Sequence, residues 1–320
     1  MATGNLTAVV FGGGGFIGRH LVQRLGKTGA VVRVPSRHVS RVAFLRTAGV
    51  VGQIVPEMVA TYDDAELTDV IQGADLVINL IGILAESRRN SFQRIHADIP
   101  GRIARVAAEQ GVKRLVHVSA LGASPVSVST YARTKAAGEA AVRAAFPAAT
   151  IMRPSIVFGP EDQFFNRFAA MASMSPALPL IGGGETKFQL VYVGDVADAI
   201  MAALANPDAP GKTYELGGPQ VFSFKAAMQL LLAEIGHNRF LVPVPWLAAR
   251  LMASFAEWAP GKPLTRDQVA LLKQDNVVSG AFPGLADLGV EATAVELILP
   301  TYLDRFRKGG RFGQGTRAYL

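Results

Sequence analysis

The chain has 320 residues, 50% of them hydrophobic, with a formal net charge of +7 and no cysteine. That length and apolar fraction allow a substantial core, read here as one large α/β domain with a smaller lobe, and the missing cysteines exclude disulfides, thiolate metal sites and a cysteine nucleophile. Five scattered histidines contain no HExxH-like pair, which argues against a metal centre, and no run of about 18 uncharged apolar residues argues for a membrane-spanning helix.

The start, MATGNLTAVVFGGGG, has no basic region ahead of a long apolar run, so no signal peptide is expected and the default location is cytoplasmic. The first predicted strand, Thr7–Phe11, runs straight into Gly12-x-x-Gly15-x-x-Gly18, which opens a predicted helix near 15–28. Glycines at this spacing permit a tight turn, let backbone approach a pyrophosphate, and let the helix pack close to the strand. The free N–H groups at the helix start, in the stretch Gly15, Phe16, Ile17, Gly18, offer positive potential to an anion.

The second strand, Val31–Val34, decides which dinucleotide is expected. A carboxylate at its tip would bind a ribose 2′-hydroxyl and repel a 2′-phosphate. VVRVPSRHVSR offers Ser36, Arg37 and Arg41 instead, and no acid. Guanidinium groups pair well with phosphate oxygens, so NADP(H) is expected over NAD(H).

Further strands are predicted at Ile54–Val59, Leu76–Ile81, Leu115–Val118 and Thr150–Met152, with helices near 64–72, 91–110 and 130–146 between them. Strands alternating with helices predict a doubly wound parallel sheet covered on both faces. After Pro154 the pattern loosens: FQLVYV reads as one more strand, Asp195 to Ala205 as a helix, and 223–236, 245–258, 265–275 and 293–307 as helices of a smaller, mostly helical lobe. The expected division is 1–155 with about 188–207 as the dinucleotide-binding domain, about 156–187 and 208–305 as the lobe, and 306–320 as a basic flexible tail.

Within the helix near 130–146, Tyr131 and Lys135 stand four residues apart and share a face. Ser119 ends the fifth strand, twelve residues before Tyr131. Together GGGGFIG, DLVIN, HVSALGA, YARTK and MRPSIVFG resemble the short-chain dehydrogenase/reductase superfamily, in its extended or atypical branch with a Rossmann-type sheet. The resemblance implies that Tyr131 is an acid/base, that Lys135 holds the nicotinamide ribose and lowers the phenol pKa, that Ser119 orients a substrate carbonyl, and that Pro154 and the loop after it sit against the nicotinamide. A phenol does need a neighbouring cation to exchange protons near neutrality.

A narrower resemblance rests on Gly52-Gln-Ile, Asn79-Leu-Ile-Gly82-Ile-Leu84, RPSIVFGPEDQFFNRFA, LPLIGGGETKFQLVYVGDVADAI and PLTRDQVALLKQDNVVS. These are similar to the nucleotide-binding accessory subunit of respiratory complex I (NADH:ubiquinone oxidoreductase), in its bacterial form. The family implies a tightly held NADPH with no established turnover, Asn79 and Gly82 beside it, and docking on the peripheral arm at the inner face of the cell membrane, near the quinone region. Two departures stand out. Gln189-Leu190-Val191 replaces Gln-Pro-Val, and Ala60 stands where relatives place an acid for the adenine amino group, which leaves Asp63 or Asp64 to substitute.

PVPWLAARLMASFAEW (243–258), flanked by Trp246 and Trp258, reads as a lobe core helix first and an interfacial or docking helix second. Phe164, Phe165 and Phe168 likewise read as lobe core. The basic residues Arg305, Arg307, Lys308, Arg311 and Arg317 crowd the end of the chain among glycines. No RNA-binding or helix-turn-helix pattern accompanies them, so nucleic acid is not an expected partner. Three functions stand: an NADP(H)-holding subunit of a membrane-bound respiratory complex, in contact with other subunits and the membrane surface; a free NADP-dependent reductase or epimerase acting through Ser119, Tyr131 and Lys135; or a membrane-surface or quinone-biosynthesis factor that uses the fold for docking.

Overall fold

The computed structural model describes residues 6–87, 90–259, 264–307 and 309–310. They form two compact units, each assembled from separate stretches of chain. The first comprises the residues through Pro154, Val193–Leu216 and Ser279–Glu291; the second comprises Ser155–Tyr192, Gly217–Val278 and the residues from Ala292.

The first unit is a seven-stranded parallel sheet. Its strands are β1 (Thr7–Phe11), β2 (Val31–Ser36), β3 (Ile54–Met58), β4 (Leu76–Asn79), β5 (Arg114–Val118), β6 (Thr150–Pro154) and, on the far edge, Thr213–Leu216. Across the sheet the order is Thr213–Leu216, β6, β5, β4, β1, β2, β3. The order reverses between β1 and β4, and the crevice beyond the carboxyl ends of the strands opens at such a reversal. TAVVF forms a central strand because it buries side chains on both faces: Ala8, Val9, Val10 and Phe11 are all buried.

The helices of this unit start where the local chemistry tells them to. Asp63 accepts from the Glu66 N–H and Ser129 from the Ala132 N–H, capping the helices Asp64–Ile71 and Thr130–Ala145. Helix α1 (Phe16–Lys27) follows Gly15 with no side-chain cap and no acid in its first turn.

The helix expected over 91–110 divides instead. Residues Arg94–Asp98 form a π-helical turn, and Ile99–Glu109 continue as α-helix. Pro100 supplies the reason: it has no N–H for the carbonyl of His96, four residues earlier. Helix Thr130–Ala145 comes close at that point, where a β-carbon on Gly138 would stand 1.8 Å from the His96 oxygen.

Several expectations are corrected. Residues 213–216 and 279–291, assigned from sequence to the lobe, belong to the sheet unit. Thr213–Leu216 pairs with β6, and the Glu215 N–H donates to the carbonyl of Pro283. FQLVYV is not one strand but two short ones, Lys187–Phe188 and Val191–Tyr192, both in the second unit. The helix expected over 293–307 breaks into Val295–Ile298, Pro300–Leu303 and a 3₁₀ turn Asp304–Phe306, interrupted by Pro300.

The second unit has an aromatic core. Phe158, Phe165, Phe188 and Phe224 are buried, with Phe164 and Phe168 packed against them. Leu190, where the related pattern has proline, is buried in the same core, and Gln189 beside it bridges the Gly218 carbonyl and the Val278 N–H. Arg307, expected in a flexible tail, is anchored by pairing with Glu234, and Arg305 just before it bonds the Asn166 side chain. Phe306 packs on the aromatic core. Lys308, Arg311 and Arg317 lie outside the described residues.

Helix Trp246–Ala256 is two-faced rather than buried. Ala249 and Ala253 face inward, and the Trp246 ring lies against Gly182, where a β-carbon would stand 2.1 Å from it. Leu247, Leu251 and Phe255 form a stripe at i, i+4 and i+8, and Trp258 follows at i+11. Leu247 is 73%, Phe255 79% and Trp258 90% exposed. Among the described residues no helix is long and apolar enough to cross a membrane.

Candidate functional site

The turn after β1 is shaped by backbone alone. Gly12 has φ of +79°, which favours glycine, and a β-carbon there would stand 3.0 Å from the Leu80 carbonyl carbon in the turn after β4. At Gly18 a β-carbon would stand 2.3 Å from the Gly12 oxygen, so helix α1 can approach the turn only because residue 18 has no side chain. The first intrahelical acceptor is Gly15, bonded by the Arg19 N–H. The N–H groups of Phe16, Ile17 and Gly18 therefore have no intrahelical partner, and no acid of the first turn offsets the positive end. Such a cradle fits a pyrophosphate.

One strand over, the tip of β2 presents Ser36, Arg37 and Arg41. Ser36 Oγ is 3.2 Å from both the carbonyl and the N–H of His38, which closes the turn. Arg37 is exposed and donates to Asn90 Oδ1 at 3.1 Å, and Arg41 is exposed. No acid stands among them, so the tip is chemically suited to a phosphate monoester.

Beyond β4, β5 and β6 lies a second constellation, made of buried side chains. Asn79 ends β4 opposite His117 of β5. Its Oδ1 accepts the Ile81 N–H at 3.0 Å, which turns Nδ2 toward His117 Nδ1 at 3.1 Å. His117 is thereby left with its proton on Nε2, a fully buried atom without a hydrogen-bond partner among the described residues. Ser119 Oγ, two residues on and on the same face of the chain, is buried and equally unpartnered. Buried polar atoms in native proteins are nearly always satisfied, so two orphans side by side mark a place where a ligand or water belongs.

Lys135 lies buried, with Nζ donating to the Val118 carbonyl at 3.3 Å. Gly82 lies beside it: a β-carbon there would stand in ordinary contact, 3.4 Å from Nζ. Burial lowers the Lys135 pKa to about 8, with Glu139 acting in the opposite sense. Glu139 in turn is held by Arg153 through paired contacts of 2.8 and 2.7 Å. Glu215 stands 3.9 Å from the same guanidinium and accepts both the N–H and the hydroxyl of Ser279, so the charges under the site form a closed network. Pro154 closes β6, and its carbonyl accepts the Leu121 N–H at 2.9 Å.

Tyr131 is half-buried between aromatic rings. His96 lies edge-on to it at 5.1 Å between centroids and Phe92 at 5.8 Å, with His96 and Phe92 stacked at 5.2 Å. Lys135 Nζ is 5.9 Å from the Tyr131 ring centroid. Burial pushes the phenol up to about 12. His96, in the π-helical turn, accepts the Ile83 N–H on Nε2 at 3.2 Å, which leaves its proton on Nδ1, 3.1 Å from Thr134 Oγ1. Burial first, and Lys135 second, lower both His96 and His117 to about 3.

Sequence reasoning named Asn79, Gly82, Ser119, Tyr131 and Lys135, and the structure brings these together. It missed His96 and His117. The signal for His117 was a histidine in the otherwise apolar strand LVHV; for His96 there was none, since its hydrogen-bond partners come from two distant stretches, Ile83 and Thr134. Asp63 and Asp64, named as substitutes for an acid at position 60, are engaged elsewhere. Asp63 caps its helix, and Asp64 pairs with Arg105 at 2.6 Å. Among the described residues no cluster of His, Asp or Glu has the arrangement of a metal site.

Residues 8–217 match the NAD dependent epimerase/dehydratase family. NADH dehydrogenase [ubiquinone] 1 alpha subcomplex subunit 9 of Arabidopsis thaliana is 40% identical over 95% of this chain and 79% of its own length. Its counterpart in Mus musculus is 37% identical over 94% and 81%. Among solved structures, UDP-glucose 4-epimerase from Thermotoga maritima, in a structure with UDP-glucose, superposes with a TM-score of 0.70 at 18% identity, covering 95% of this chain and 99% of that one.

The chain thus belongs to the NAD dependent epimerase/dehydratase family and, within it, to the family of the alpha subcomplex subunit 9 of respiratory complex I.

Proposed function

From that membership we propose that the protein is an NADP(H)-holding accessory subunit of a membrane-bound NADH:ubiquinone oxidoreductase, and that the nucleotide is held rather than turned over. Its matched relatives are named as subunits of that enzyme. The glycine turn and the positive end of α1 would hold the pyrophosphate, Arg37 and Arg41 a ribose 2′-phosphate, and Lys135 the nicotinamide ribose. A nicotinamide nucleotide supplies hydride-transfer chemistry when bound.

The observation that carries the structural role is the packing of Tyr131 against His96 and Phe92, with Lys135 Nζ 5.9 Å from the centroid of its ring. A phenol that exchanges protons with a substrate must come down toward neutrality, whereas burial drives this one up to about 12. His96 and Phe92 pack edge-on against its half-buried ring. Lys135 serves ribose binding without any help from the phenol.

The exposed stripe Leu247, Leu251, Phe255 and Trp258 supports contact with a membrane surface or a neighbouring subunit at the cytoplasmic face of the membrane. Flotation with anionic lipid vesicles should carry the wild type and leave Phe255→Ser behind, with no change in thermal stability. Equal flotation of both would remove the stripe from the account.

A second reading, a free NADP-dependent reductase or epimerase, draws on the orphaned Ser119 hydroxyl, which suits a substrate oxygen. A panel of aldehydes, ketones and quinones added to the NADPH-loaded protein separates the two. No loss of the reduced-nicotinamide absorbance is expected. Steady oxidation that disappears in Tyr131→Phe would establish the second reading instead.

A further inference from the structure

We propose that Asn276 is a positioning residue for the nicotinamide end of the nucleotide: it sets the course of the chain as it leaves β6, without touching the ligand. The inference rests on the nucleotide-binding reading above. A dinucleotide lies across the carboxyl ends of such strands. With the pyrophosphate at the turn after β1 and the nicotinamide ribose at Lys135, the sheet order β1, β4, β5, β6 carries the ring toward the end of β6. That end is stitched to β5 around the orphaned Ser119 hydroxyl. The Ser119 N–H donates to the Met152 carbonyl at 2.7 Å, and the Leu121 N–H to the Pro154 carbonyl at 2.9 Å.

The next two residues, Ser155 and Ile156, are held by a residue far along the chain. Asn276 lies in QDNVVS, 121 positions beyond Ser155. Its Oδ1 accepts the Ser155 hydroxyl at 2.6 Å and the Ile156 N–H at 3.2 Å. An N–H can only donate, so the amide must turn its oxygen toward Ile156, which fixes the orientation of the side chain.

The backbone of Asn276 is anchored in turn. Its N–H donates to the Lys187 carbonyl at 2.8 Å and its carbonyl accepts the Gln189 N–H at 3.0 Å. The neighbouring Asp275 carboxylate accepts the Lys187 N–H at 2.9 Å. Beyond Ile156 the chain continues into Val157–Phe158, which pairs with Val191–Tyr192. Asn276 therefore joins a fixed framework to the two residues that follow Pro154. Ser155 is buried. Truncating Asn276 leaves its hydroxyl only the longer contact to the Asn276 carbonyl, 3.2 Å, and takes the acceptor from the Ile156 N–H.

The test compares NADPH with 2′-phospho-ADP-ribose, which keeps both riboses and every phosphate but lacks the nicotinamide ring. Dissociation constants are measured by calorimetry on the full chain, alongside thermal unfolding of each variant. Wild type should bind NADPH the more tightly. In Asn276→Ala the NADPH constant should rise about tenfold, the scale of two lost hydrogen bonds. That for 2′-phospho-ADP-ribose should stay within about twofold, as for a distant site. A merely structural Asn276 would weaken both ligands alike or neither, leaving the ratio untouched, and that result overturns the assignment. Should Asn276→Ala unfold, Ser155→Ala decides, since it removes only the 2.6 Å bond: the same ratio should fall by about threefold, and an unchanged ratio overturns the assignment. Equal binding of the two ligands by wild type would remove the ring from the end of β6, and Asn276 with it, while leaving the nucleotide reading standing. Binding of neither removes both.

Discussion

The turn after β1 and the cluster around Tyr131 belong to one sheet but are built on opposite plans. The turn presents backbone: its N–H groups do not titrate, and its shape depends on missing β-carbons at Gly12 and Gly18. The cluster presents side chains from several elements, and each titratable group is held away from its ordinary proton affinity by burial. The first plan is intolerant of any added atom and indifferent to pH. The second tolerates substitution better and ties stability to protons.

Four experiments would break or sharpen that contrast. The largest effect belongs to acid. His96 and His117 have folded pKa values of about 3 against an ordinary 6.5, so the unfolded chain binds more protons between those values. Stability should therefore rise with pH across that window and fall as pH drops from about 6.5 toward 3, by several kcal/mol in all. Denaturant titrations at a series of pH values would show it, and His96→Asn combined with His117→Asn should flatten the slope. An unchanged slope would mean that the histidines are not held neutral.

Next comes the backbone end. Gly18→Ala puts a β-carbon 2.3 Å from the Gly12 oxygen, which should cost about 1–3 kcal/mol of overpacking and bring NADPH binding below detection, with no new pH dependence. Lys135→Met should come third, with NADPH affinity falling about tenfold for the loss of one charged hydrogen bond. It should also remove a rise in stability with pH between about 8 and 10.5, where the unfolded lysine holds a proton that the buried one has released. The smallest effect is expected from Tyr131→Phe. NADPH affinity should stay within about threefold and stability within about 1 kcal/mol, since only a hydroxyl is lost. A large fall in affinity would return the phenol to the binding site.

What could be read from sequence was local. The strand, glycine turn and helix of residues 7–27 lie in one short stretch, and Tyr131 and Lys135 sit one helical turn apart after the cap at Ser129. What escaped needs tertiary contacts. Arg153 meets Glu139 fourteen residues back and lies near Glu215, more than sixty residues on, and no spacing rule connects them. Thr213–Leu216 is a four-residue strand completing a sheet whose other strands end at Pro154. The helix at 246–256 is apolar on both faces, so its composition could not tell which face is covered. Asp63 and Asp64 looked available because a helix cap and an ion pair to Arg105 are invisible until the chain is folded.

The central claim is that this crevice keeps a phosphorylated nicotinamide dinucleotide. Native mass spectrometry of the full chain, purified gently and then titrated with NADPH, tests it most directly. The account predicts one molecule of NADPH per chain, retained through desalting and exchanged far less readily for NADH. A bare chain that takes up neither dinucleotide would contradict it.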